Sequence, residues 1–303
     1  MSKNSKNQSV LVVGSTGFLG MEICRQLVNA GKDVKAFVRP TSDATKVKAL
    51  QRLGVETREG DLKNSASIKK ALDGVDSVIS TASSTLSRQE GDSIETVDDA
   101  GQRNLIQAVM DSGVNQFIFV SFRPMNETFP LQTAKRNIEK MLIRSNLNYT
   151  ILQPGFFMEI WLGPAVGFDF PNSKLTVYGE GKNKISWVSL VDVAAVAVAS
   201  LDNEAARNAV LQVGGSEPMS PLEVVKVFEN HSGNRFAVEF VPVEALRAQK
   251  KAATESLGES FTALILAYAE GDHIDMTDTR KVYPFKLTSV TEYVQKIPIG
   301  HVM

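Results

Sequence analysis

Gly14, Gly17 and Gly20 stand three residues apart at the end of an unbroken apolar run, Val10–Val13. A helical pattern opens on them at once, with Leu19, Ile23, Cys24, Leu27 and Val28 on one face. Strand, glycine turn and helix in that order form the arrangement that binds a dinucleotide pyrophosphate. Gly14 permits the tight turn out of the strand, Gly17 lets the backbone approach the phosphates, and Gly20 lets the helix pack closely on the strand. The helix N-terminus turns its unpaired N–H groups toward the negative charge. Ser15, Thr16, Phe18 and Leu19 lie in the same turn and count with the glycines as cofactor-binding candidates.

A second chemical signal ends the next strand, where Asp33–Val38 runs into Arg39. An NAD site places Asp or Glu here, on the ribose 2′-hydroxyl. A guanidinium offers that hydroxyl no acceptor and suits a 2′-phosphate instead. The expected cofactor is therefore NADP(H) in preference to NAD(H), with Thr41, Ser42 and Lys46 close enough in sequence to add donors. The plainer alternative is an arginine solvated at a strand end.

Stepping along the chain, strand and helix signals alternate. Strands are expected over Val10–Val13, Val34–Val38, Val55–Arg58, Ser77–Ser80, Phe117–Val120 and Tyr149–Leu152, and helices over Leu19–Ala30, Ala44–Leu53, Ser65–Leu72, Thr96–Asp111 and Ala134–Arg144. Continuous apolar strands separated by helices imply an α/β fold with a doubly wound parallel sheet of the Rossmann type, whose ligands sit at the carboxyl ends of the strands. After Pro154–Gly155 the pattern changes. The expected division is a dinucleotide-binding domain over residues 1–155, with 186–213 returning to it, and a smaller C-terminal substrate-binding lobe over 156–185 and 214–303. In that second half, Ile185–Ser189 reads as a short strand, Leu190–Leu201 as a buried helix capped by Asp192, and Val243–Tyr268 as one long helical stretch.

Together these segments resemble the atypical short-chain dehydrogenase/reductases of the NmrA-like and isoflavone-reductase-like kind. The likeness runs from Gly14 to about Ala199. It rests on the glycine turn, Val38-Arg39, Gly60-Asp61-Leu62, Val78-Ile-Ser-Thr81-Ala82, Lys135 within Ala-Lys-Arg-Asn-Ile-Glu, and Tyr149-Thr-Ile-Leu-Gln-Pro154-Gly155-Phe156-Phe157. The resemblance implies that Asp61 and Leu62 lie against the adenine, and that Thr81 and Ala82 line the ribose and diphosphate. It implies that Ser121-Phe122 takes the place of the catalytic serine, and that Lys135 is the active-site lysine, near catalysis and cofactor alike. Pro154, Phe156 and Phe157 are implied to close over the nicotinamide and begin the substrate pocket.

One departure bears on mechanism. Ordinary members use Tyr-x-x-x-Lys, in which the tyrosine protonates a developing alkoxide. Here Leu131 stands four residues before Lys135, and neither Tyr149 nor Tyr178 has the spacing to replace the missing acid. Isoflavone-reductase-like enzymes lack that tyrosine and act on activated substrates; NmrA-like regulators lack it too and bind the dinucleotide without turnover. The expected function is an NADPH-dependent reductase delivering hydride to an activated apolar acceptor, a conjugated alkene, quinone or carbonyl. The alternative is a non-catalytic NADP(H) redox sensor that regulates a protein partner.

The residues alone leave several roles open. Lys135, flanked by Arg136 and Lys140, reads from its neighbours as a solvated helix residue. Ser121 either terminates its strand or serves the site, and Asp61 either caps a turn or meets the cofactor. The aromatics Phe156, Phe157, Trp161, Phe168 and Phe170, broken by Gly163, Pro164 and Gly167, suggest a pocket wall for a flat apolar substrate. Phe122, Phe157 and Trp161 are the substrate-binding candidates, with Glu159 either a buried acid or a rim charge.

Composition narrows the partners. With 303 residues, 43% hydrophobic content and a net charge of −1, the chain is ordinary and globular, and no basic field points to nucleic acid. The one cysteine, Cys24, reads as core and fits a reducing compartment, expected to be the cytoplasm. The histidines His231, His273 and His301 lack metal-ligand spacing, and no metal is expected. No apolar run is long enough to span a membrane, and the polar Met1–Ser9 reads as a disordered lead-in with no secretory signal. A monomer or homodimer is expected.

Overall fold

Every residue of Ser9–Val13 is buried, as a strand covered on both faces must be, and this is β1 at the middle of the sheet. The computed structural model describes residues 8–86 and 88–298; residues 1–7 of the expected lead-in, and His301, lie outside the described residues, whereas Ser9, expected in that lead-in, is the buried first residue of β1. The glycine turn leads to α1 (Phe18–Asn29), then β2 (Asp33–Val38), α2 (Ala44–Arg52), β3 (Glu56–Glu59), α3 (Ser65–Ala71) and β4 (Ser77–Ser80). Gly31 and Gly54 follow α1 and α2 at φ +71° and +84°, a backbone region in which a side chain is strained, so each stops its helix.

The helix expected from Thr96 starts earlier and is not uniform. Ile94–Gly101 winds as a π-helix behind a Ser93–Thr96 capping box, and only then does α4 (Gln102–Met110) take regular form. Next come β5 (Gln116–Val120), α5 (Pro130–Ile143) and β6 (Asn148–Pro154). The chain continues through α6 (Met158–Trp161), β7 (Phe168–Asp169), β8 (Lys174–Tyr178), α7 (Leu190–Ala199), β9 (Ala209–Val213), α8 (Pro221–Ser232) and β10 (Ala237–Val241). It closes with α9 (Val243–Ala252), α10 (Ser256–Glu270), α11 (Thr277–Val282) and α12 (Val290–Val294).

The main sheet runs β3-β2-β1-β4-β5-β6-β9, and its first six strands pair in parallel. This is the doubly wound order, with the switch point between β1 and β4. A second sheet, β10-β8-β7, pairs β8 with β10 in parallel and with β7 antiparallel.

Contacts divide the chain into two units. The first gathers the chain up to Ser121 with Thr133–Leu152 and Ala194–Leu211; the second gathers Phe122–Gln132, Gln153–Val193 and the chain from Gln212 onward. Phe122–Gln132, which includes the first residues of α5, joins the second unit because Arg123 pairs with Asp272, Glu127 with Arg247 and Lys250, and the Leu131 amide donates to Ser260 Oγ. The first unit's core packs Leu11, Val13, Phe37, Val78, Phe117, Phe119 and Ile138. Cys24 is buried, and burial pushes its thiol up to about 12, so it behaves as a small core residue. The second unit is built on an aromatic cluster described below.

Three local expectations are corrected. Ile185–Ser189 is not a strand; Ile185 and Val188 make only isolated bridges. The stretch from Val243 breaks at Ala253, whose ψ of 130° is extended, and α9 and α10 pack on each other across the break. Asp192 does not cap α7. It accepts from the amide and hydroxyl of Thr288, while Glu159 closes the helix start by accepting from the Leu190 amide at 2.9 Å and the Ser189 hydroxyl at 2.6 Å. That contact makes Glu159 a helix cap, the role its neighbours in sequence left open.

Among the described residues no helix is long and apolar enough to cross a membrane, and no cluster of His, Cys, Asp and Glu has the geometry to hold a metal ion.

Candidate active site

In the first unit the carboxyl ends of β1, β2, β4 and β5 carry most of the candidate residues. At the end of β1, Gly14 takes φ +85°, and a Cβ there would lie 2.7 Å from the Ala82 amide nitrogen. A Cβ on Gly20 would stand 2.2 Å from the Gly14 carbonyl oxygen, so the helix packs on the turn only with glycine in that place. Gly17 differs. Its φ of −78° suits any residue, and an added Cβ would meet only the Gly14 carbonyl oxygen, at 3.2 Å. The fold constrains position 17 far less than positions 14 and 20, asking a shift of a few tenths of an ångström from one carbonyl, whereas a phosphate approaching the N-terminus of α1 needs the space outright. No side chain caps that N-terminus, so its first-turn N–H groups are left for such a ligand. The turn fits a dinucleotide on these grounds. Gly17→Val is accordingly expected to melt within a few degrees of the parent and to lose NADPH binding measured by fluorescence titration. Normal NADPH binding by the variant would remove the turn from the phosphate site.

Not every residue in the turn is free for a ligand. The Ser15 hydroxyl is buried and donates to the Phe37 carbonyl at 3.0 Å, which ties β1 to β2. Ser15 can therefore offer a ligand its backbone only. Thr16 and Leu19 are half-buried, and Phe18 is exposed, with Lys46 over its ring at 5.8 Å. Leu62 is buried. Its side chain packs in the core where a Cβ on Gly101 would touch it, and its carbonyl accepts from Asn104. Asp61 caps the turn after β3, accepting from the Lys63 amide at 2.8 Å, and remains partly exposed. Thr81 and Ala82 stay half-buried beside Gly14.

Arg39 is half-buried and paired. Its guanidinium pairs with the Asp92 carboxylate, which Lys63 also contacts.

The chemistry at the end of β5 centres on Lys135. Sequence neighbours suggested a solvated lysine; the structure buries it, at 4% exposure. Its Nζ lies 3.5 Å from the Val120 carbonyl oxygen, 3.7 Å from Asp98 Oδ1 and 4.9 Å from the centroid of the Phe119 ring. Burial pulls the ammonium below the ordinary lysine range, and the charge of Asp98 opposes that pull. Asp98, wholly buried in the π-helix, accepts from the Ser84 amide at 3.0 Å and the Ser84 hydroxyl at 2.7 Å, both on Oδ2. Its Oδ1 accepts no hydrogen bond among the described residues and faces Lys135. Sequence reasoning missed Asp98. The signal was present, since Asp98 precedes Gly101, Gln102 and Leu105 by three, four and seven residues, the spacing of one buried helix face. Ser121, at the end of β5, accepts from Arg136 at 2.8 Å and is buried.

In the second unit, Phe156 and Trp161 are buried in the aromatic core. Their rings meet edge to face at 4.6 Å, and Trp161 stacks on Tyr268 at 5.6 Å. Apolar rings of that size gain most by filling the space between α6 and α10. Pro154 is also buried. Phe157 keeps a half-exposed ring at the start of α6, and Phe122, half-exposed too, stacks parallel to Phe129 at 6.0 Å. Leu131, where the acid tyrosine is missing, is buried.

A family model described as NmrA-like matches residues 6–294. The chain is 32% identical to the photosystem II assembly factor Ycf39 of Synechocystis over 78% of this chain and 72% of that one. It is 30% identical to an NAD(P)H azoreductase of Xenophilus azovorans over 88% of each, and 29% identical to the isoflavone reductase homolog IRL of Zea mays over 96% and 99%. Among solved structures, an NADPH-dependent quinone oxidoreductase from Escherichia coli, complexed with NADPH, superposes with a TM-score of 0.75. It is 22% identical and covers 94% of this chain and 98% of that one, a likeness of fold.

Proposed function

We propose, from the premise that this chain belongs to the NmrA-like family, that it is an NAD(P)H-dependent reductase acting on an activated apolar acceptor such as a quinone, a conjugated alkene or a carbonyl. The observation that carries the reading is Lys135. A buried ammonium whose ion pair with Asp98 is as long as 3.7 Å, with Glu139 a weaker second acid, is costly to keep. Its hydrogen bond to the Val120 carbonyl is long, at 3.5 Å, and leaves donor capacity for a ligand oxygen.

When bound, the reduced dinucleotide supplies the hydride. The residues of this chain do the rest. The Gly14–Gly20 turn and the N-terminus of α1 hold the pyrophosphate. Arg39 pairs with the 2′-phosphate and favours NADP(H) over NAD(H). Thr81 and Ala82 flank the ribose and diphosphate. Lys135 stabilises the negative charge that develops on the acceptor oxygen, and with no phenol at position 131 the acceptor must be one that needs no strong acid. Ser121 is the second candidate there, and Phe122 and Phe157 offer partly open rings to a flat apolar molecule.

The test is NADPH consumption, followed at 340 nm by the purified protein, against a panel of quinones, enones and aldehydes. Turnover of at least one class is expected. A second reading rests on Leu131 and on the relative named as an assembly factor: a dinucleotide sensor that engages a protein partner. Tight NADPH binding with no turnover of any acceptor would favour that reading and overturn the first.

A further inference from the structure

Arg39 and Lys63 lie on different loops, after β2 and after β3, yet both converge on one carboxylate. Asp92 comes from a third segment, between β4 and the π-helix, and its side chain is only 1% exposed. Arg39 Nη1 donates to Oδ2 and Lys63 Nζ to Oδ1, so each oxygen has its own cation. The Gln89 amide also donates to Oδ2, at 3.0 Å. Gln89 in turn donates to the Thr41 carbonyl at 2.8 Å, and Ser42 Oγ accepts from the Arg39 amide at 3.0 Å. The segment around Gln89–Asp92 is thereby fastened to the end of β2, where the sequence expects a 2′-phosphate to sit.

We propose that Asp92 sets the cofactor preference of this chain, by competing with a 2′-phosphate for Arg39 and Lys63 and so narrowing the discrimination between NADP(H) and NAD(H). The inference rests on the reading of Arg39 as the 2′-phosphate partner. A carboxylate and a phosphate draw on the same donors: both accept charge-assisted hydrogen bonds from guanidinium and ammonium. Arg39 and Lys63 both face Asp92, and Lys63 also lies 3.7 Å from Asp61 Oδ2, so the two cations are offset by two carboxylates where a phosphate dianion must bind, and Asp92 repels that dianion at close range. The donors of Arg39 aimed at Asp92 must also be redirected before they reach a phosphate. A dinucleotide without the 2′-phosphate meets neither obstacle. Preference at this site is then a difference between two affinities, reduced by an acid placed against the tighter ligand.

The probes are 2′,5′-ADP, which carries the phosphate, and 5′-ADP, which lacks it, titrated calorimetrically into the full chain. Asp92→Asn removes the charge and keeps an acceptor for the Gln89 amide; Asp92→Ser serves as a second variant, and melting curves check the fold of both. The expected result is about tenfold tighter binding of 2′,5′-ADP, with 5′-ADP unchanged within about twofold and a steeper loss of 2′,5′-ADP affinity with salt. Equal changes for the two probes, weaker binding of 2′,5′-ADP, or no measurable binding of it to any variant would overturn the proposal. Arg39→Ala separates the two readings. If it leaves 2′,5′-ADP affinity untouched in the parent and in Asp92→Asn, the phosphate reading of Arg39 fails and the proposal with it. If it weakens 2′,5′-ADP while Asp92→Asn alone changes nothing, the phosphate reading stands and only the competition by Asp92 fails.

Discussion

Lys135→Met is expected to lower kcat/KM for the best acceptor by about 10²–10³-fold, the scale of losing one electrostatic donor aimed at developing charge. Methionine keeps much of the length and apolar character of the lysine stem and removes the ammonium, so the packing over Phe119 changes little. NADPH affinity should fall by less than the rate, because the proposed pyrophosphate site is the glycine turn and not β5. Steady-state kinetics with the acceptor varied, alongside an NADPH titration, separate the two effects. Unchanged turnover would take the lysine out of the mechanism. An equal fall in NADPH affinity would instead assign it to the ribose. Leu131→Tyr is a useful companion, since restoring the phenol at a position now buried need not produce ketone reduction.

Asp98→Asn is expected to cost about 3–5 kcal/mol of stability at neutral pH, the range found when one partner of a buried ion pair is removed. Asparagine retains an acceptor for the Ser84 amide and hydroxyl, so the loss reports the missing charge opposite Lys135. The pH dependence has a definite sign. Burial holds the folded-state Lys135 ammonium below the ordinary lysine range. The unfolded chain therefore binds the proton more tightly, and the associated stability is lost as pH falls and regained as pH rises toward the ordinary lysine range. Removing the carboxylate lowers the folded-state value further, so the deficit of Asp98→Asn should shrink as pH is raised through the alkaline range. Urea unfolding of the parent, Asp98→Asn, Lys135→Met and the double variant between pH 6 and pH 10 measures this. The double variant should be about as stable as Lys135→Met alone or better than Asp98→Asn. Additive losses, or a deficit independent of pH, would show that the two groups are not coupled.

The sequence by itself determined the alternation of buried strands and helices that makes a doubly wound parallel sheet, the position of the glycine turn and the absence of a tyrosine acid four residues before Lys135. Each depends on interactions within a few residues: apolar runs for buried strands, positive φ for Gly14, and a spacing of one helical turn between Leu131 and Lys135. Local reading failed where a nearby pattern had two outcomes of similar energy, as at Val243–Tyr268, which breaks into two helices, and at Ile94–Gly101, which opens as a π-helix. Only the tertiary structure decided the partners of the charged and aromatic residues. Arg39 meets an acid 53 residues away, and Asp192 bonds Thr288 across 96 residues instead of capping its own helix. Lys135, flanked by cations in sequence, is drawn inward by Asp98 and by the ring of Phe119, while Trp161 leaves an aromatic segment that resembled a wall and stacks on Tyr268 in the core. A buried charge is tolerable only beside its counter-charge, and a large ring settles where it removes most surface from water. Both conditions are set by which segments meet in the folded chain, and the order of residues along it does not specify them locally.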